Sequence, residues 1–497
     1  MIKKIFGPPG TGKTTTLLNL VDDYIRKGTP LHRIGYFAFT KKAAEEAKER
    51  MKKRNPGVFK NRDLRFFQTL HSLSFNSLGM SEDNVMQPVH YEQIGEELGV
   101  RVQETDESYF LNSNNEYFKL INKARVKKIS VEDEYNTNEW SSNIDLTVLL
   151  YIYKNFCQFK EAFHLDDYTD MIEKFTKHPE KCPDFDVVFI DEAQDLAPIQ
   201  WDLFDILKKK SKDIYLAGDD DQAIFAWAGA DVDRFVNEPA DEDIVLNQSR
   251  RVPRLIMEQS QIIIDRIQGV RKEKQYNARD VEGHVQHIYS IDSLDLSEGE
   301  WLILGRTTYR CQEICKQLKE NKNYFKYDKK PFFGKSFDTK LLKCIDLWTD
   351  MTKGNSVSIS DFKDICEYLS IDFDESKLKN KTEVFISDIG YRKQTPWFDA
   401  FTNAPQDESY YIRTLLANGE KLREEPRIKV STIHAAKGGE CTNVVLILDN
   451  TEKIRRAMEI NTQKQDEEHR VWYVGTTRAK ENLYLLKPKI DRKGYNL

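Results

Sequence analysis

Residues 7–14 read GPPGTGKT and lie between an apolar run, residues 2–6, and a run with helical spacing that begins at Leu17. The pattern is G-x-x-x-x-G-K-[ST], in which glycines let backbone N–H groups face phosphate oxygens and the following helix adds its positive end. A strand before the loop and a helix after it form the required context. We therefore predict a nucleotide site here; a chance match in a surface loop is the alternative.

The residues of this loop predict distinct contacts with a nucleotide. Lys13 should reach the terminal phosphates, and Thr14 should ligate Mg²⁺. The residues of the loop and its first helical turn that we predict to bind the nucleotide are Gly7, Pro8, Gly10, Thr11, Gly12, Lys13, Thr14 and Thr15.

An acidic motif follows a second apolar run. Residues 187–190 read VVFI, typical of a buried strand, and Asp191 and Glu192 come directly after them. Asp191 is placed to hold Mg²⁺ through water, and Glu192 is a candidate base for the attacking water. An exposed acidic turn would explain this pair at least as well if it stood alone. Together with the loop at residues 7–14, the pair predicts hydrolysis of a nucleoside triphosphate.

The alternation of apolar and helical runs predicts the fold class. Short apolar runs recur at residues 34–39, 214–217, 301–304, 429–431, 444–448 and 483–486. Such alternation is typical of parallel sheets with helices on their faces, so we predict an α/β fold. Residues 73–166 and 309–426 break the pattern with irregular pieces, and we predict a mostly helical insertion at each.

The composition is that of a globular protein, with 39% hydrophobic and 31% charged residues among 497. This length suggests roughly two to four domains. No apolar run approaches the roughly 20 residues that span a membrane, and residues 1–7 do not resemble a signal peptide. The seven cysteines lack metal-ligand spacing, which disfavours zinc and fits a reduced cytoplasm. The net charge of −6 does not exclude nucleic acid, because a binding groove needs only local positive charge.

Further segments follow the loop in fixed order along nearly the whole chain: residues 37–44 (FAFTKKAA), 69–72 (TLHS), 191–195 (DEAQD), 218–227 (GDDDQAIFAW), 248–253 (QSRRVP), 432–440 (TIHAAKGGE) and 473–480 (YVGTTRAK). This series resembles the UvrD/Rep-like helicases of superfamily 1, in particular compact versions such as phages encode. An ordered series of this kind is far more specific than a phosphate loop alone.

The resemblance implies two RecA-like parallel-sheet domains, with ATP and Mg²⁺ bound in the cleft between them. Each domain would carry one of the helical insertions. The implied limits are residues 1–72 and 167–248 for the first domain, 73–166 for its insertion, 249–308 and 427–497 for the second domain, and 309–426 for its insertion.

The resemblance also implies roles for residues that nothing else in the sequence would select. Arg251 and Arg478 would reach the γ-phosphate, and Gln222 would sense that phosphate and connect it to the DNA path. The further nucleotide contacts that it implies are Arg250, Gly438 and Glu440.

A path for single-stranded DNA follows from the same resemblance. Phe39 and Trp227 fall where aromatic rings of the family stack on bases, and stacking accepts any base. Core packing is the alternative for both rings. The side chains that would contact the phosphate backbone are Thr40, Thr69, His71 and His434.

The implied activity is that of an ATP-dependent DNA helicase, which moves 3′→5′ along single-stranded DNA and unwinds duplex DNA. The polarity rests on residues 432–440 and 473–480, which look like those of the 3′→5′ branch. A translocase that strips proteins from single strands with little strand separation is the alternative, and a nucleotide-gated binding protein without turnover is a third hypothesis. We expect a cytoplasmic monomer, in the host cytoplasm if a phage encodes it, with DNA as partner; the motifs identify no replication or repair protein.

Four features depart from the family pattern. Because the loop begins at Gly7, we expect the glutamine-bearing segment that precedes it in the family and reads adenine to be missing. Arg250 stands where the family usually has a tyrosine. We therefore expect appreciable use of GTP alongside ATP. Ala228 follows Trp227, at a position where the family usually has an arginine. We therefore do not expect the arginine–phosphate contact that the family makes at this position. The second insertion is also short.

Overall fold

The computed structural model describes residues 1–102, 115–137, 143–327, 334–370, 381–488 and 494–497. The strands in these ranges are β1 (Ile2–Phe6), β2 (Ile34–Phe37), β3 (Phe67–Gln68), β4 (Phe185–Ile190), β5 (Ser211–Gly218), β6 (Glu242–Val245), β7 (Gln248–Pro253), β8 (Asn277–Arg279), β9 (His284–Ile288), β10 (Trp301–Gly305), β11 (Phe325–Tyr327), β12 (Gly334–Lys335), β13 (Val357–Ser358), β14 (Glu383–Val384), β15 (Ile428–Thr432), β16 (Cys441–Ile447) and β17 (Ala479–Leu486).

The helices in the same ranges are α1 (Lys13–Arg26), α2 (Lys41–Arg54), α3 (Leu70–Leu78), α4 (Pro88–Glu97), α5 (Glu116–Lys127), α6 (Val131–Tyr135), α7 (Leu146–Ala162), α8 (Tyr168–Thr176), α9 (Pro198–Lys210), α10 (Val232–Asn237), α11 (Arg254–Ile264), α12 (Thr308–Glu320), α13 (Thr339–Thr352), α14 (Ile359–Cys366), α15 (Trp397–Ala400), α16 (Gln406–Ala417), α17 (Glu452–Ile460) and α18 (Thr462–Thr476). Among the described residues, no helix combines the length and the apolar character needed to cross a bilayer.

The chain divides into two compact units. The first comprises Met1–Gly283 and Arg456–Thr477, and the second comprises His284–Arg455 and Arg478–Leu497. Residues 249–283, which the sequence assigned to the second RecA-like domain, therefore group with the first unit, together with α18. The predicted domain limits stay predictions.

The first unit is built on a six-stranded sheet in the order β3-β2-β4-β5-β1-β6, in which every neighbouring pair is parallel. Strand β4 is buried at five of its six positions, because helices cover both faces of the sheet. The strand order β4-β5-β1 brings the loop after β1 and the acidic pair after β4 to the same edge of the sheet. Ligands of open parallel sheets bind at this carboxyl edge.

Each face of this sheet has its own buried core. On one face, Leu18 of α1 and Met51 of α2 share a core with Tyr36 of the sheet. On the other face, Trp201 of α9 shares a core with Phe37. The apolar runs that predicted the strands are therefore buried between two helical layers, and the predicted parallel α/β fold is confirmed.

The second unit is built on a seven-stranded sheet in the order β12-β11-β15-β10-β16-β17-β9. All neighbouring pairs are parallel except the edge pair β11–β12. Strands β10, β15, β16 and β17 correspond to the predicted apolar runs. The sequence did not predict β9, which is largely exposed and has polar side chains at three of its five positions, or the three-residue strand β11.

The two predicted insertions are mostly helical in their described residues. Helices α4 to α7 enclose a separate core around Phe118 and Phe156 in the first, and helices α13 to α16 enclose another around Trp348 in the second. Helix α12 and β11 pack instead with the seven-stranded sheet, although the sequence assigned them to the insertion. Residues 103–114, 138–142, 328–333 and 371–380 lie outside the described residues.

Candidate functional site

The loop after β1 forms a backbone cradle that ends in α1. Gly10 and Gly12 adopt φ angles of 74° and 87°, which glycine reaches without strain. The Thr11 hydroxyl donates to the Pro8 carbonyl at 2.8 Å. Because α1 begins directly after Gly12, the positive end of the helix adjoins the cradle, as in known phosphate sites. The predicted loop residues that lie in this turn or in the first turn of α1 are Gly7, Pro8, Gly10, Thr11, Gly12, Lys13, Thr14 and Thr15.

Lys13 is held over this cradle by the backbone of the loop. Its ammonium group donates to the Gly7 carbonyl at 3.0 Å and lies 3.8 Å from Oε1 of Glu192. A cation in this place can neutralise charge on the terminal phosphates of a nucleotide. The contact of Lys13 with the terminal phosphates stays a prediction.

Thr14 and Asp191 meet although 177 residues separate them in sequence. Thr14 Oγ1 donates to Asp191 Oδ2 at 2.8 Å. A hydroxyl and a carboxylate are the hard oxygen donors that Mg²⁺ prefers, so the two side chains fit the predicted metal. Burial, followed by the neighbouring Glu192 carboxylate, raises the pKa of Asp191 above its ordinary value. A bound cation would favour the ionised carboxylate again.

Glu192 has a left-handed backbone conformation, with φ 56° and ψ 43°. This conformation costs a non-glycine residue about 1–2 kcal/mol, and such strain is common at functional positions. Gln194 Nε2 donates to Glu192 Oε2 at 2.6 Å. The Glu192 side chain is 32% exposed. Its carboxylate is thus both oriented and open to water, as a catalytic base must be.

Gln222 is connected to this carboxylate by a chain of hydrogen bonds. Gln222 Nε2 donates to Asp219 Oδ2 at 2.6 Å. The Asp219 N–H donates in turn to Gln194 Oε1 at 3.0 Å, and Gln194 holds Glu192. The predicted phosphate sensor and the candidate base therefore share one network.

Buried cations stabilise the acidic turn at residues 219–221. The Lys274 ammonium lies within 3.2 Å of all three carboxylates of this turn and is 1% exposed. Arg271 donates to the Asp221 carboxylate at 2.8 Å, and Arg470 of α18 donates to the Asp220 backbone carbonyl at 3.0 Å. Burial lowers the pKa of Lys274, but the three carboxylates outweigh it and raise that pKa above its ordinary value. Because unpaired charge at this depth is strongly destabilising, these cations hold the turn that carries Gln222.

Strand β7 lies directly against the phosphate cradle. Ser249 Oγ donates to the Pro9 carbonyl at 2.7 Å, and the Arg250 N–H donates to the Gly10 carbonyl at 2.9 Å. A Cβ on Gly10 would stand 2.3 Å from Arg251 Cβ, so glycine is required for this approach. Arg251 and the exposed Arg250 therefore begin beside the cradle. Their contacts with the γ-phosphate and the base stay predictions.

The second unit carries the remaining predicted nucleotide residues. Arg478 is 1% exposed and donates to the Gly439 carbonyl at 3.2 Å. Gly438 has a φ angle of 84°, and Glu440 is exposed with Oε1 3.9 Å from Lys480 Nζ. The turn after β15 and the start of β17 thus bring these residues together. Their contacts with the nucleotide stay predictions.

Three aromatic rings form a row in the first unit. Phe39 stacks on Phe225 with ring centroids 5.5 Å apart and an interplanar angle of 19°. Trp227 lies 6.2 Å from Phe225 and is 43% exposed. Phe39 is half-buried and partly used in packing, whereas Trp227 has a large exposed surface available for a base.

The side chains predicted to contact DNA phosphates also have structural surroundings of their own. Thr40 and Thr69 cap α2 and α3 with their hydroxyls; Thr40 is exposed and Thr69 is buried. His71 is 4% exposed, and burial lowers its pKa to about 3. In this conformation its neutral ring supplies no positive charge to a phosphate. His434 is half-buried in the second unit, and the four contacts with DNA stay predictions.

Sequence reasoning did not select several residues that support the site, among them Gln194, Lys274 and Tyr36. The Tyr36 hydroxyl donates to Asp191 Oδ2 at 2.9 Å. A hydroxyl-bearing ring on an otherwise apolar strand was the available signal for Tyr36. Lys274 belongs to a polar run after α11 that resembles a solvated surface segment, and no pattern in it indicates burial.

Comparison with known proteins relates this geometry to one family. Residues 3–243 match the family described as UvrD/REP helicase N-terminal domain. The matched region contains the phosphate cradle, the acidic pair, the acidic turn at residues 219–221 and the aromatic row.

Curated relatives match a longer part of the chain. The ATP-dependent DNA helicase PcrA of Staphylococcus aureus (strain NCTC 8325 / PS 47) is 24% identical over 342 residues, which cover 64% of this chain and 44% of that protein. PcrA of Staphylococcus epidermidis is 22% identical over 342 residues, with the same coverage. A probable DNA helicase II homolog of Mycoplasma capricolum subsp. capricolum is 24% identical over 299 residues, covering 52% of this chain and 38% of that protein. The chain thus spans less than half the length of these relatives.

Proposed function

We propose that this chain, whose residues 3–243 match the UvrD/REP helicase N-terminal domain family, is a UvrD-like ATP-dependent DNA helicase of superfamily 1. The observation that carries the proposal is the meeting of Lys13, Thr14, Asp191 and Glu192 at the carboxyl edge of one parallel sheet. This edge combines a cation, two hard oxygen donors and an oriented carboxylate beside a backbone cradle.

Each of these side chains has a part in hydrolysis of the terminal phosphate. Lys13 and the loop backbone bind the phosphates. Thr14 and Asp191 would hold Mg²⁺, which supplies positive charge against phosphate oxygens when it is bound. Glu192, oriented by Gln194, positions the attacking water and accepts its proton.

Stimulation of hydrolysis by single-stranded DNA tests whether the ATP site serves a DNA motor. Phosphate release from ATP and Mg²⁺ should be slow without DNA and should rise when an unstructured oligonucleotide is added. A nucleotide-gated binding protein would release little phosphate under either condition. Rapid hydrolysis that ignores DNA would contradict the proposed coupling.

The proposed substrate is single-stranded DNA. The protein moves along it 3′→5′ and enters the adjoining duplex. The aromatic row supports a base-stacking path, because stacking is tolerant of sequence and lets a motor move along any strand. Residues 432–440 and 473–480, which resemble the 3′→5′ branch of the family, support the polarity.

Truncation of the exposed ring tests this DNA path. Trp227→Ala should weaken binding of single-stranded DNA roughly 5- to 150-fold, because one stacked base is worth about 1–3 kcal/mol. Fluorescence anisotropy of a labelled oligonucleotide measures the change. Tyr151→Ala is the matched control, since Tyr151 is also exposed in the first unit but lies on α7. Equal affinities for wild type and Trp227→Ala would show that the ring does not stack on a base.

Base selectivity is expected to be loose at the adenine position. Arg250 is exposed beside the cradle, and an arginine plane stacks on either purine. GTP should therefore be hydrolysed at an appreciable rate alongside ATP in a phosphate-release assay with both nucleotides. Arg250→Tyr should shift the preference toward ATP. A strict ATP preference in the wild-type protein would contradict this expectation.

A further inference from the structure

A buried tyrosine lies behind the carboxylate that fits Mg²⁺. The Tyr36 hydroxyl donates to Asp191 Oδ2 at 2.9 Å, and the same oxygen accepts Thr14 Oγ1 at 2.8 Å. The other oxygen, Oδ1, accepts the Glu192 N–H at 3.1 Å. Two hydroxyls and one backbone N–H therefore converge on Asp191 and define its orientation.

The sheet fixes the place of this tyrosine. Strand β2 pairs with β4 in parallel, with Tyr36 opposite Phe189, and the Asp191 N–H donates to the Phe37 carbonyl at 2.9 Å. The Tyr36 ring is fully buried and stacks on Phe67, with centroids 5.2 Å apart and an interplanar angle of 8°. The hydroxyl is consequently presented to Asp191 by a rigid ring in the core.

From this geometry we propose that Tyr36 is a positioning residue, whose hydroxyl fixes the Asp191 carboxylate for the Mg²⁺ of the bound nucleotide. This inference rests on the proposed nucleotide site. Outer hydrogen-bond partners of metal-ligating groups typically change metal affinity about 10- to 100-fold when they are removed. A hydroxyl with only a structural part would change stability and leave the dependence on Mg²⁺ unaltered.

The substitution Tyr36→Phe isolates the hydroxyl, because it keeps the stacked ring. Tyr24→Phe is the matched control: the Tyr24 hydroxyl also donates to a carboxylate oxygen, that of Asp213 at 2.7 Å, in the same unit but without contact to Asp191. The measurement is binding of a fluorescent, non-hydrolysable ATP analogue to the full chain at increasing Mg²⁺ concentration. The half-saturating Mg²⁺ concentration should rise about 10-fold in Tyr36→Phe and stay at the wild-type value in Tyr24→Phe. Saturating Mg²⁺ should restore nucleotide binding in Tyr36→Phe.

Each other outcome overturns the role of Tyr36. An unshifted Mg²⁺ dependence in Tyr36→Phe, with Mg²⁺-dependent binding by the wild type, overturns the positioning role and leaves the proposed function intact. A similar rise of the half-saturating Mg²⁺ concentration in both variants indicates a general loss of stability and also overturns the role of Tyr36. Lower melting temperatures of both variants would corroborate this interpretation. Nucleotide binding by the wild type that ignores Mg²⁺ overturns both the role and the metal site on which it rests.

Discussion

Replacing Glu192 with glutamine should lower the rate of ATP hydrolysis about 100- to 10,000-fold while nucleotide binding persists. The amide cannot accept the proton of the attacking water, yet its oxygen can still accept the hydrogen bond from Gln194. The strained backbone and the 32% exposure of Glu192 are consistent with a side chain kept for chemistry. Phosphate release with saturating single-stranded DNA measures the rate, and binding of a fluorescent ATP analogue measures the affinity.

Glu92→Gln provides the matched control for this substitution. Glu92 is exposed on α4, away from the sheet edge, and its replacement should leave the rate unchanged. A Glu192→Gln protein that keeps a rate within an order of magnitude of the wild type would require another group to act as base.

Replacing Lys13 with alanine should lower the hydrolysis rate about 100- to 1,000-fold, the usual cost of losing one preorganised donor to a developing charge. Unlike Glu192→Gln, this substitution should also weaken nucleotide binding, because Lys13 meets the phosphates in the ground state. The Lys13 ammonium is already held above the cradle by the Gly7 carbonyl. Both quantities can be measured with the assays used for Glu192.

Lys209→Ala controls for the loss of a positive charge. Lys209 is exposed at the C-terminal end of α9, and its removal should change neither affinity nor rate. Wild-type hydrolysis by Lys13→Ala would contradict the assignment of residues 7–14 as the phosphate site.

Much of the first sheet could be predicted from the sequence, because its strands are short apolar runs with clear boundaries. Residues 2–6 end at a glycine loop, and residues 187–190 end at two carboxylates. Both signals are local, so the sequence predicts the cradle and the acidic pair without any knowledge of the contact between them. The parallel order of the strands then explains why they meet at one edge.

The supporting residues could not be predicted, because their roles depend on contacts between distant parts of the chain. Tyr36 and Asp191 are 155 residues apart, and Lys274 and Asp220 are 54 apart. Tyr36 reaches Asp191 only because β2 lies beside β4 in the sheet. Helix α18 is rich in polar residues that are nevertheless buried, including Arg470, so its sequence alone resembles a surface helix.

The residues predicted to contact DNA differ in their exposure, and this difference could not be predicted from the sequence either. Trp227 is exposed as a stacking ring must be, while Thr69 and His71 are buried at the start of α3. A threonine at the first position before a helix is a common cap, and that local role competes with a role in phosphate binding. The motif pattern does not distinguish between these roles.

Strand separation is the central claim, and unwinding of two partial duplexes tests it most directly. One duplex carries a 3′ single-stranded tail and the other a 5′ tail; both are incubated with ATP and Mg²⁺, and Lys13→Ala serves as the control. We expect the wild-type protein to open only the 3′-tailed duplex and the Lys13→Ala protein to open neither. Opening of only the 5′-tailed duplex would contradict the polarity. Failure to open either duplex, while single strands still stimulate ATP hydrolysis, would contradict the helicase assignment and favour a translocase.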